Sequence, residues 1–584
     1  MRDEWASQSN QKLRDRWTAS DHIESCRVKT PMSLDFARLR VVFTAVLAAT
    51  LARQMPAVAG NSQVVAVTGQ HAPGFSTGVT YANFLGGNTT NLPITNSAGT
   101  MVYWASLSQP NVYGIWSYNS GLPSLLYKTG DQAPGTTVNF AGIYPDVAVN
   151  SGGQFAFGAT LAGSGVDSTN SGGVWSNAGG SLALVARTGD HPPGTPSDAF
   201  FQFFGVGDDA NNLVFNDSGK VAFDSQTFGN VDTVFDRGIW SNVDGSLALI
   251  AHAGSAAPGT GVNFGDLASS RLSFNAAGQL VFFATLNGVN VSPGTDTGLW
   301  EYRNGSLNLI AREGNHAPGM PNGTNFGDFG TYGFSNPALN SSGRIAFSTV
   351  DGNGIWSDAG GPLALVVAAG QSAPGASGTT FSYLRAPVLN HSGLIAFRAQ
   401  IGGSGVSTSK DTGIWSQGSG SLSLVAREGD RAPGTAAGIV FGDFFDPAFS
   451  EDMNSAGRVA FSVNATGPGF NGNGIWAQNP AGTLTLIGFT GDQVQVVPGV
   501  FRTVSGFEFG SGSGNEDGGR SGFNDMGQVT FVAFFTDGSR ALMISNAAEF
   551  VPEPSSLMLL AVGGLAVGGA AIRSRRSGRA LSRS

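Results

Sequence analysis

Residues 390–401 read NHSGLIAFRAQI, residues 413–416 read GIWS and residues 421–434 read SLSLVAREGDRAPG. The opening Asn-x-x-Gly spacing is typical of a tight corner, because Asn can bond its own backbone and Gly suits the fourth position of the turn. After this corner, apolar and polar residues alternate, which predicts a strand. GIWS and SLSLVA predict two more strands, and Pro-Gly ends the last one. A Phe-rich stretch over residues 380–384 supplies a fourth strand before the corner.

This unit recurs along the chain with three signals in a fixed order. The first signal is Asn-x-x-Gly followed four residues later by an aromatic residue, and it marks eight units, beginning at Asn96, Asn150, Asn216, Asn275, Asn340, Asn390, Asn454 and Asn524. Gly-aliphatic-Trp ends at Trp116, Trp175, Trp240, Trp300, Trp356, Trp415 and Trp476. Gly-x-x-x-Pro-Gly begins at Gly69, Gly130, Gly189, Gly254, Gly314, Gly370 and Gly429, and a degraded copy begins at Gly491. Four short strands in about 60 residues match a β-propeller blade, whereas tandem β-sandwiches need about seven strands per unit and a β-helix needs a shorter period.

The two ends of the repeat array indicate a closed ring. Residues 62–67 have the pattern of the last strand of a unit, with no Asn or Trp signal before them. The last unit stops after residues 541–545 and lacks that strand. Joining the two pieces completes the eighth unit and leaves no open sheet edge. We therefore predict an all-β chain with a single eight-bladed propeller of four-stranded blades over residues 60–548, closed by the N-terminal strand.

Composition and charge exclude several classes of protein. Charged residues make up 12% of the 584 residues and Gly contributes 86, which disfavours long helices. Residues 60–550 contain 17 basic and 33 acidic residues, a net charge of −16. Such an acidic body should repel nucleic acid and anionic membrane surfaces. The single cysteine, Cys26, excludes an internal disulfide framework and a cysteine-ligated metal site.

Residues 1–59 are predicted to be a leader and secretory signal peptide. Two arginines precede an apolar run over residues 41–52, and small residues follow it up to Ala59. This is the order that signal peptidase recognises, so we expect cleavage after Ala59. The polar stretch at the start leaves open whether translation begins at Met1 or at Met32.

Residues 549–584 contain a predicted transmembrane helix over residues 557–572, between a proline-rich start and a basic end. The flanking residues are Pro552, Glu553 and Pro554 on one side and Arg573, Arg575 and Arg576 on the other. Sixteen residues of helix span about 24 Å, slightly less than the ~30 Å hydrocarbon core. Arginines stay on the cytoplasmic side of a membrane, so the repeats should lie outside.

The order Pro-Glu-Pro, apolar helix, arginine cluster resembles the PEP-CTERM sorting signal. The resemblance implies a transient inner-membrane intermediate that is recognised by an exosortase. It also implies removal of the tail and release to the cell surface or extracellular matrix of a Gram-negative bacterium.

The repeat unit is similar to the Asn-x-x-Gly-x-x-Ala-Phe repeats of exported tandem-repeat proteins, and to TolB-like propeller repeats. The residues that carry this similarity best, together with the Trp that follows each copy, are Asn340, Gly343, Phe347, Trp356, Asn390, Gly393, Phe397 and Trp415. The similarity supports the fold more than the function, because propellers host enzymes and binding modules alike.

Three residue types are candidates for a binding or metal site: the His and Asp residues of the turns, and the aromatic residues. His71, His191 and His316 share one turn position, as do Asp131, Asp190, Asp430 and Asp492. We interpret both sets as turn residues, although the aspartates leave Ca²⁺ binding open. We interpret the Trp series as core, and Tyr103, Trp104, Phe201, Phe203 and Phe204 as the better candidates for an exposed aromatic surface. Binding is expected at the irregular loops 162–172, 202–214, 285–297 and 506–522.

No nucleophile elbow, phosphate-binding loop, zinc-protease motif or catalytic triad occurs in the sequence, so no catalytic, metal or cofactor residue is predicted. We expect a non-enzymatic binding or scaffold module of the cell envelope or extracellular matrix. Its expected partners are signal peptidase and exosortase during export, and extracellular polysaccharide or matrix proteins afterwards. The alternative is a secreted enzyme that acts on extracellular polysaccharide with paired carboxylates.

Overall fold

The computed structural model describes residues 62–85, 92–204, 213–229, 237–267, 272–330, 337–445, 450–510, 512 and 521–546. Within these ranges the regular secondary structure consists of β-strands. The strands form eight separate antiparallel sheets that follow one another along the chain. The predicted signal peptide and C-terminal helix lie outside the described residues, and the domain boundaries at 59/60 and 548/549 stay predictions.

Blades 1 to 4 come first along the chain. Blade 1 comprises Tyr81–Asn83, Ile94–Thr95, Met101–Leu107, Tyr113–Tyr118 and Ser124–Lys128. Blade 2 comprises Asn139–Val149, Phe155–Ala162, Gly172–Ser176 and Ala183–Arg187. Blade 3 comprises Phe200–Phe204, Leu213–Phe215, Val221–Phe228, Arg237–Ser241 and Ala248–His252. Blade 4 comprises Ala256–Ala257, Val262–Phe264, Ser273–Phe274, Leu280–Asn287, Thr297–Arg303 and Ser306–Arg312.

Blades 5 to 8 complete the array. Blade 5 comprises Ala338–Leu339, Ile345–Ser348, Gly354–Ser357 and Ala364–Ala368. Blade 6 comprises Thr379–Leu384, Val388–Leu389, Ile395–Gly403, Thr412–Ser416 and Ser423–Arg427. Blade 7 comprises Val440–Phe441, Ser450–Met453, Val459–Gly467, Phe470–Gln478 and Leu484–Phe489. Blade 8 comprises Gln493–Val497, Val500–Phe509, Val529–Phe535, Arg540–Ser545 and Ser62–Val67.

Each blade follows the same four-strand plan, in which the first strand of several blades is divided into two segments. In blade 6, Thr379–Leu384 and Val388–Leu389 pair successive parts of Ile395–Gly403. The segment just before the Asn corner contacts its counterpart in neighbouring blades, for example Ala338–Leu339 against Val388–Leu389. This contact between blades places the first strand of each blade nearest the axis of the ring.

The N-terminal strand closes the ring, as predicted. Ser62–Val67 lies antiparallel to Arg540–Ser545, with Ser62 opposite Ser545 and Val67 opposite Ala541. The strand therefore supplies the fourth position of blade 8, which the C-terminal part of the chain lacks.

The two ends of the folded body lie together. Ser545 is opposite Ser62 on one side and opposite Val529, just after the Asn524 corner, on the other. We call the end of the blades that carries the eight Asn corners the asparagine end, and the opposite end, with the Pro-Gly turns, the loop end. The chain enters and leaves the ring at the asparagine end.

The core lies between the blades as eight apolar clusters, one at each junction between neighbours. Successive residues of a strand point to opposite faces, and the Ala-Phe pair of the repeat uses both faces. Phe397 packs at the junction with blade 5, whereas Ala396 packs at the junction with blade 7. Trp415 and Ile414 divide in the same way. Blade 6 therefore presents its bulkier side chains to the preceding blade and its smaller ones to the following blade.

Candidate functional site

The eight Asn side chains of the corners form a closed ring of hydrogen bonds. Each Nδ2 donates to a backbone carbonyl at the corner of the next blade: Asn96 to Asn150, Asn150 to Asn216, Asn216 to Asn275, Asn275 to Asn340, Asn340 to Asn390, Asn390 to Ser455, Asn454 to Asn524 and Asn524 to Asn96. Their lengths lie between 2.7 Å for Asn216 and 3.2 Å for Asn150. All eight side chains are at most 1% exposed, so these amides join neighbouring blades and are not available to a ligand.

The same Asn side chains hold their own corners. Asn340 Oδ1 accepts the backbone N–H of Arg344 at 2.8 Å, and Asn390 Oδ1 accepts that of Leu394 at 2.9 Å. The glycines in these corners, Gly343 and Gly393, have φ values of +78° and +80°. A side chain is strained in that left-handed region, which explains why Gly recurs there.

The Trp signal is tied to the Pro-Gly signal that precedes it. Each indole Nε1 donates to the carbonyl of the Pro in its own unit, as in Trp356 to Pro318 and Trp415 to Pro374, over 2.9 to 3.1 Å in all seven cases. An aromatic ring meets each indole edge-on, for example Phe381 at 5.1 Å from Trp415. This ring lies on the first strand of its blade except at Trp356, whose partner Phe326 precedes the first strand. The seven indoles are at most 1% exposed, so they do not form a surface for stacking carbohydrate.

The expectation of an exposed aromatic surface is wrong for the four residues whose side chains are described. Tyr103, Trp104, Phe201 and Phe204 are at most 8% exposed. The Trp104 indole donates to Ile143 O at 2.8 Å, and the hydroxyls of Tyr81 and Tyr103 are 2.9 Å apart. These residues depart from the repeat pattern. Because side chains along a strand alternate between the two faces of a blade, they still point into the junctions between neighbouring blades. The Phe203 side chain lies outside the described residues.

The shared His and Asp positions hold turns at the loop end. The rings of His71, His191 and His316 each hydrogen-bond a backbone carbonyl of their own Pro-Gly loop, at 3.2, 2.9 and 3.1 Å. Asp131 Oδ2 accepts the N–H of Lys128 at 3.0 Å and Asp492 Oδ2 that of Phe489 at 2.8 Å. Within the described ranges, no group of three or more His, Cys, Asp or Glu residues is arranged to hold a metal ion.

Two equivalent carboxylate pockets lie at the loop end, between blades 4 and 5 and between blades 6 and 7. In the second, Thr412 Oγ1 is 3.1 Å from Glu428 Oε2 and 3.0 Å from Asp443 Oδ1, and it accepts the N–H of Phe444. One hydroxyl proton cannot serve both carboxylates. Burial raises the pKa of Glu428, and the charges of Asp443 and Asp411 add to this increase, against a lowering by the Thr412 hydrogen bond.

The first pocket has the same composition. Thr297 Oγ1 donates to Glu313 Oε2 at 3.0 Å. Burial raises the pKa of Glu313 to about 7, and Asp296 and Asp328 add to this increase, while the Thr297 hydrogen bond opposes it. Glu313 is therefore partly protonated at neutral pH, and it can exchange a proton there.

A third cluster lies midway along blades 6 and 7, at the break in their first strands. The guanidinium carbon of Arg385 is 4.8 Å from the ring centroid of Phe445 and 5.6 Å from that of Tyr383. These two rings meet edge-on at 6.0 Å. Nearby, Glu451 is 4% exposed and pairs with Arg398, with Oε2 2.9 Å from Nε. Burial raises the pKa of Glu451, against lowering by Arg398 and Arg385.

The two carboxylate pockets and the Arg385 cluster are not among the sites predicted from the sequence. The pockets had a signal in the sequence, because Asp-Thr-Gly-aliphatic-Trp, Ala-Arg-Glu-Gly and Gly-Asp-Phe occur together only around residues 296–329 and 411–444. Arg385 had one as well. It stands four residues after the first-strand aromatic Phe381, and blade 7 has Phe445 at that position.

The predicted sorting and cleavage residues fall outside the described residues. They are Ala59, Pro552, Glu553, Pro554, Arg573, Arg575 and Arg576. In the part of the chain that the structure describes, no helix is long and apolar enough to cross a membrane.

Family models match both the repeats and the tail. A family of unknown function, DUF7453, matches residues 55–256, 209–353 and 349–558. The PEP-CTERM protein-sorting motif matches residues 550–576, which identifies an exported protein sorted by an exosortase to the cell surface or extracellular space. No curated protein matches the chain in sequence. The likeness of the repeats to TolB-like repeats stays a prediction.

Solved β-propeller structures resemble the fold at low sequence identity. An oligogalacturonate lyase in complex with manganese has 9% identity and a TM-score of 0.32, over 83% of this chain and 97% of the lyase. The β-propeller domain of the trilobed protease from Pyrococcus furiosus has 8% identity and a TM-score of 0.34, over 68% and 96%. The α-L-arabinofuranosidase Arb93A from Fusarium graminearum has 10% identity and a TM-score of 0.24, over 58% and 93%.

Proposed function

Since this chain belongs to the DUF7453 family and carries a PEP-CTERM protein-sorting motif, we propose that it is a non-enzymatic binding or scaffold module of a Gram-negative cell envelope or extracellular matrix. The sorting motif at residues 550–576 is the observation that carries this proposal. It begins four residues after Asn546, the last described residue of the ring, so the propeller is the domain that the sorting signal directs.

The proposed route has three steps. Signal peptidase removes residues 1–59, the helix at 557–572 holds an inner-membrane intermediate, and an exosortase then removes the tail after recognising Pro552, Glu553 and Pro554. The released ring then binds extracellular polysaccharide or matrix proteins. Its net acidic charge supports this setting, because an acidic body stays soluble and avoids anionic membrane surfaces.

The route is tested by expressing the full chain in its host with and without the exosortase. We expect a shortened product at the surface or in the medium of the complete strain, and a full-length membrane-bound product without the enzyme. Replacing Pro552, Glu553 and Pro554 together by Ala should have the same effect as losing the enzyme. Pro498→Ala, in a turn of blade 8, is the control and should be released normally. Release of the triple variant at the normal rate would contradict the proposal.

A second candidate function is hydrolysis of extracellular polysaccharide, and the two carboxylate pockets are the observation that favours it. Glu313 and Glu428 have raised pKa values and acidic neighbours, which suits an acid that donates a proton to a leaving group. Turnover of matrix polysaccharide by the released protein, lost in the double variant Glu313→Gln, Glu428→Gln, would establish this function. Unchanged turnover in the double variant would exclude the pockets.

A further inference from the structure

We propose that Arg385, Tyr383 and Phe445 form a binding site for a sugar acid, with the Arg385 guanidinium as the contact for the sugar carboxylate. The inference rests on the proposed function as a binding module, and it names the site and the class of ligand. It places recognition on the axis side of blades 6 and 7.

The guanidinium of Arg385 differs from those of the other arginines in the described ranges. Nε of Arg385 and Nε of Arg398 are both buried without a hydrogen bond, but Arg398 Nε has Glu451 Oε2 at 2.9 Å, whereas no carboxylate among the described residues forms an ion pair with Arg385. The other partly buried arginines each bind a carbonyl or a carboxylate, as Arg427 binds Lys410 O through Nε and Nη2. Arg431 also makes no such bond, but it lies exposed in a turn. Arg385 is therefore a partly buried cation whose Nε has no hydrogen-bond acceptor among the described residues, which is costly unless a ligand supplies one.

The surroundings of Arg385 limit the ligand to an anion with an apolar face. A planar guanidinium binds a carboxylate through two parallel hydrogen bonds. The rings of Tyr383 and Phe445 beside it offer apolar contact area, and the Tyr383 hydroxyl is held by a bond to Val350 O at 2.5 Å. A sugar acid combines a carboxylate with the apolar face of a pyranose ring. An acidic peptide offers the carboxylate without that rigid face.

The charge of the whole body limits the length of the ligand. Residues 60–550 carry a net charge of −16, so a long polyanion is repelled even where one site attracts it. We therefore expect the site to take a single acidic residue, at a chain end or between neutral sugars.

A purely structural role is the competing explanation for Arg385. The positive charge of Arg385 lowers the pKa of the buried Glu451, so the arginine could serve only to stabilise that carboxylate. In that case its removal would change the stability of the fold, and ligand binding would not depend on it.

The experiment uses the processed protein released by its host and measures binding calorimetrically with a trisaccharide that carries one glucuronate between two neutral sugars. The probes are the trisaccharide, its methyl ester, which has the same ring faces without the charge, and a tripeptide with one glutamate between two glycines. The variants are Arg385→Gln, Arg385→Lys and the control Arg427→Gln. Thermal unfolding of each variant is recorded alongside.

We expect the wild type to bind the acid and not the ester. Arg385→Gln should weaken binding about tenfold to a hundredfold, as for loss of a charge-assisted hydrogen bond, with an unchanged unfolding temperature. Arg385→Lys should keep part of the affinity, and Arg427→Gln all of it. Equal binding by Arg385→Gln, no binding of the acid by the wild type, or equal binding of the peptide would overturn the inference. None of these outcomes bears on the sorting route, which is tested separately.

Discussion

The side-chain amide of each corner asparagine makes two kinds of hydrogen bond: Oδ1 accepts within its own blade, and Nδ2 donates to the next blade. Oδ1 of Asn340 holds the turn through Arg344 N–H, and Nδ2 binds Asn390 O at 2.8 Å and His391 O at 3.1 Å. Asp cannot replace it, because a carboxylate has no N–H to donate. A Ser or Thr hydroxyl has its donor and its acceptor on a single oxygen atom, so it cannot replace an amide whose oxygen and nitrogen bind two different corners. The recurrence of Asn in the sequence therefore follows from two separate hydrogen-bonding demands at one position.

Replacing Asn340 by Ala should destabilise the fold by about 1–3 kcal/mol, because buried backbone groups lose their partners. Asn479→Ala is the matched control. Asn479 also opens an Asn-x-x-Gly turn and accepts the N–H groups of Ala481 and Thr483, but it lies at the surface of blade 7. Denaturant unfolding of both variants measures the difference. An equal loss in the two variants would contradict a stabilising role for the bond between blades.

The carboxylate pockets predict a stability that falls as the pH rises. The pKa of Glu313 is raised to about 7 from its ordinary value of 4.5, so the folded state binds the proton more tightly than the unfolded chain. Stability from this group is complete below pH 4.5 and is lost as the pH rises to about 7. Glu313→Gln should therefore raise the unfolding temperature at pH 8 and change it little at pH 4.5.

Asp167→Asn is the control, because its expected effect on stability at pH 8 is opposite to that of Glu313→Gln. Hydrogen bonds from Thr169 lower the pKa of Asp167, so its charge favours the folded state at pH 8. Differential scanning calorimetry at pH 4.5, 6 and 8 compares the two variants with the wild type. A higher unfolding temperature at pH 8 for Asp167→Asn, or a lower one for Glu313→Gln, would contradict the assignment.

At the scale of the element, the Pro-Gly loop and the Trp strand form one unit. The Pro carbonyl accepts the indole N–H, and the following Gly lies against a Leu of the fourth strand. A Cβ at Gly319 would stand 2.7 Å from Leu365 Cβ, and one at Gly354 would stand 2.6 Å from the Trp356 ring. Both glycines are close-approach positions, so the Gly-rich composition reflects packing between loops and strands as well as turns.

Gly319→Ala should cost more stability than Gly323→Ala. Both glycines have a positive φ, at +80° and +89°, but nothing lies within 4 Å of a Cβ at Gly323. The conformational penalty of about 1 kcal/mol is common to both. Gly319→Ala adds overpacking, of about 1–3 kcal/mol. Chemical denaturation of the two variants gives the difference directly, and equal values would show that Leu365 moves aside without cost.

The eighth blade departs from the other seven where its motif is degraded. Met543 stands opposite Phe531, where blade 7 has Trp476 opposite Phe461, and it has no N–H for a Pro carbonyl. The Pro498-Gly499 turn accordingly joins a hairpin of Gln493–Val497 and Val500–Phe509. Phe501 at its tip is 59% exposed. The altered spacing of the motif did not reveal this hairpin in advance.

At the scale of the whole molecule, closure depends on one short strand. Deleting residues 62–67 leaves Arg540–Ser545 as an open edge and exposes the clusters that Val65 and Val67 complete. We expect the released protein without this strand to unfold at a clearly lower temperature and to associate through the edge. A synthetic peptide of residues 60–69 should restore the wild-type value, and a peptide with these residues scrambled should not. An unchanged unfolding temperature after the deletion would contradict closure by this strand.

The architecture was predictable because every blade repeats the same physical solution. Asn390, Phe397 and Trp415 each occupy a position whose hydrogen-bonding or packing requirement recurs in eight or seven blades. The same residue types therefore recur in the sequence with a regular period. The cluster at Arg385 occurs once, and no period marks it. Tyr103 and Phe201 are buried for a related reason, because a departure from the repeat pattern does not by itself indicate exposure. Strand alternation still directs both side chains into a junction between blades.

The adjacency of Ser62 and Ser545 also fixes an orientation. Any tether attached beyond Asn546 pulls on the rim of blade 8 at the asparagine end. In the proposed membrane-bound intermediate the tail would thus leave from the asparagine end, while the Pro-Gly turns, the histidines and the carboxylate pockets lie at the opposite end of the ring. Which end of the propeller carries the sorting tail is therefore set by where Arg540–Ser545 ends.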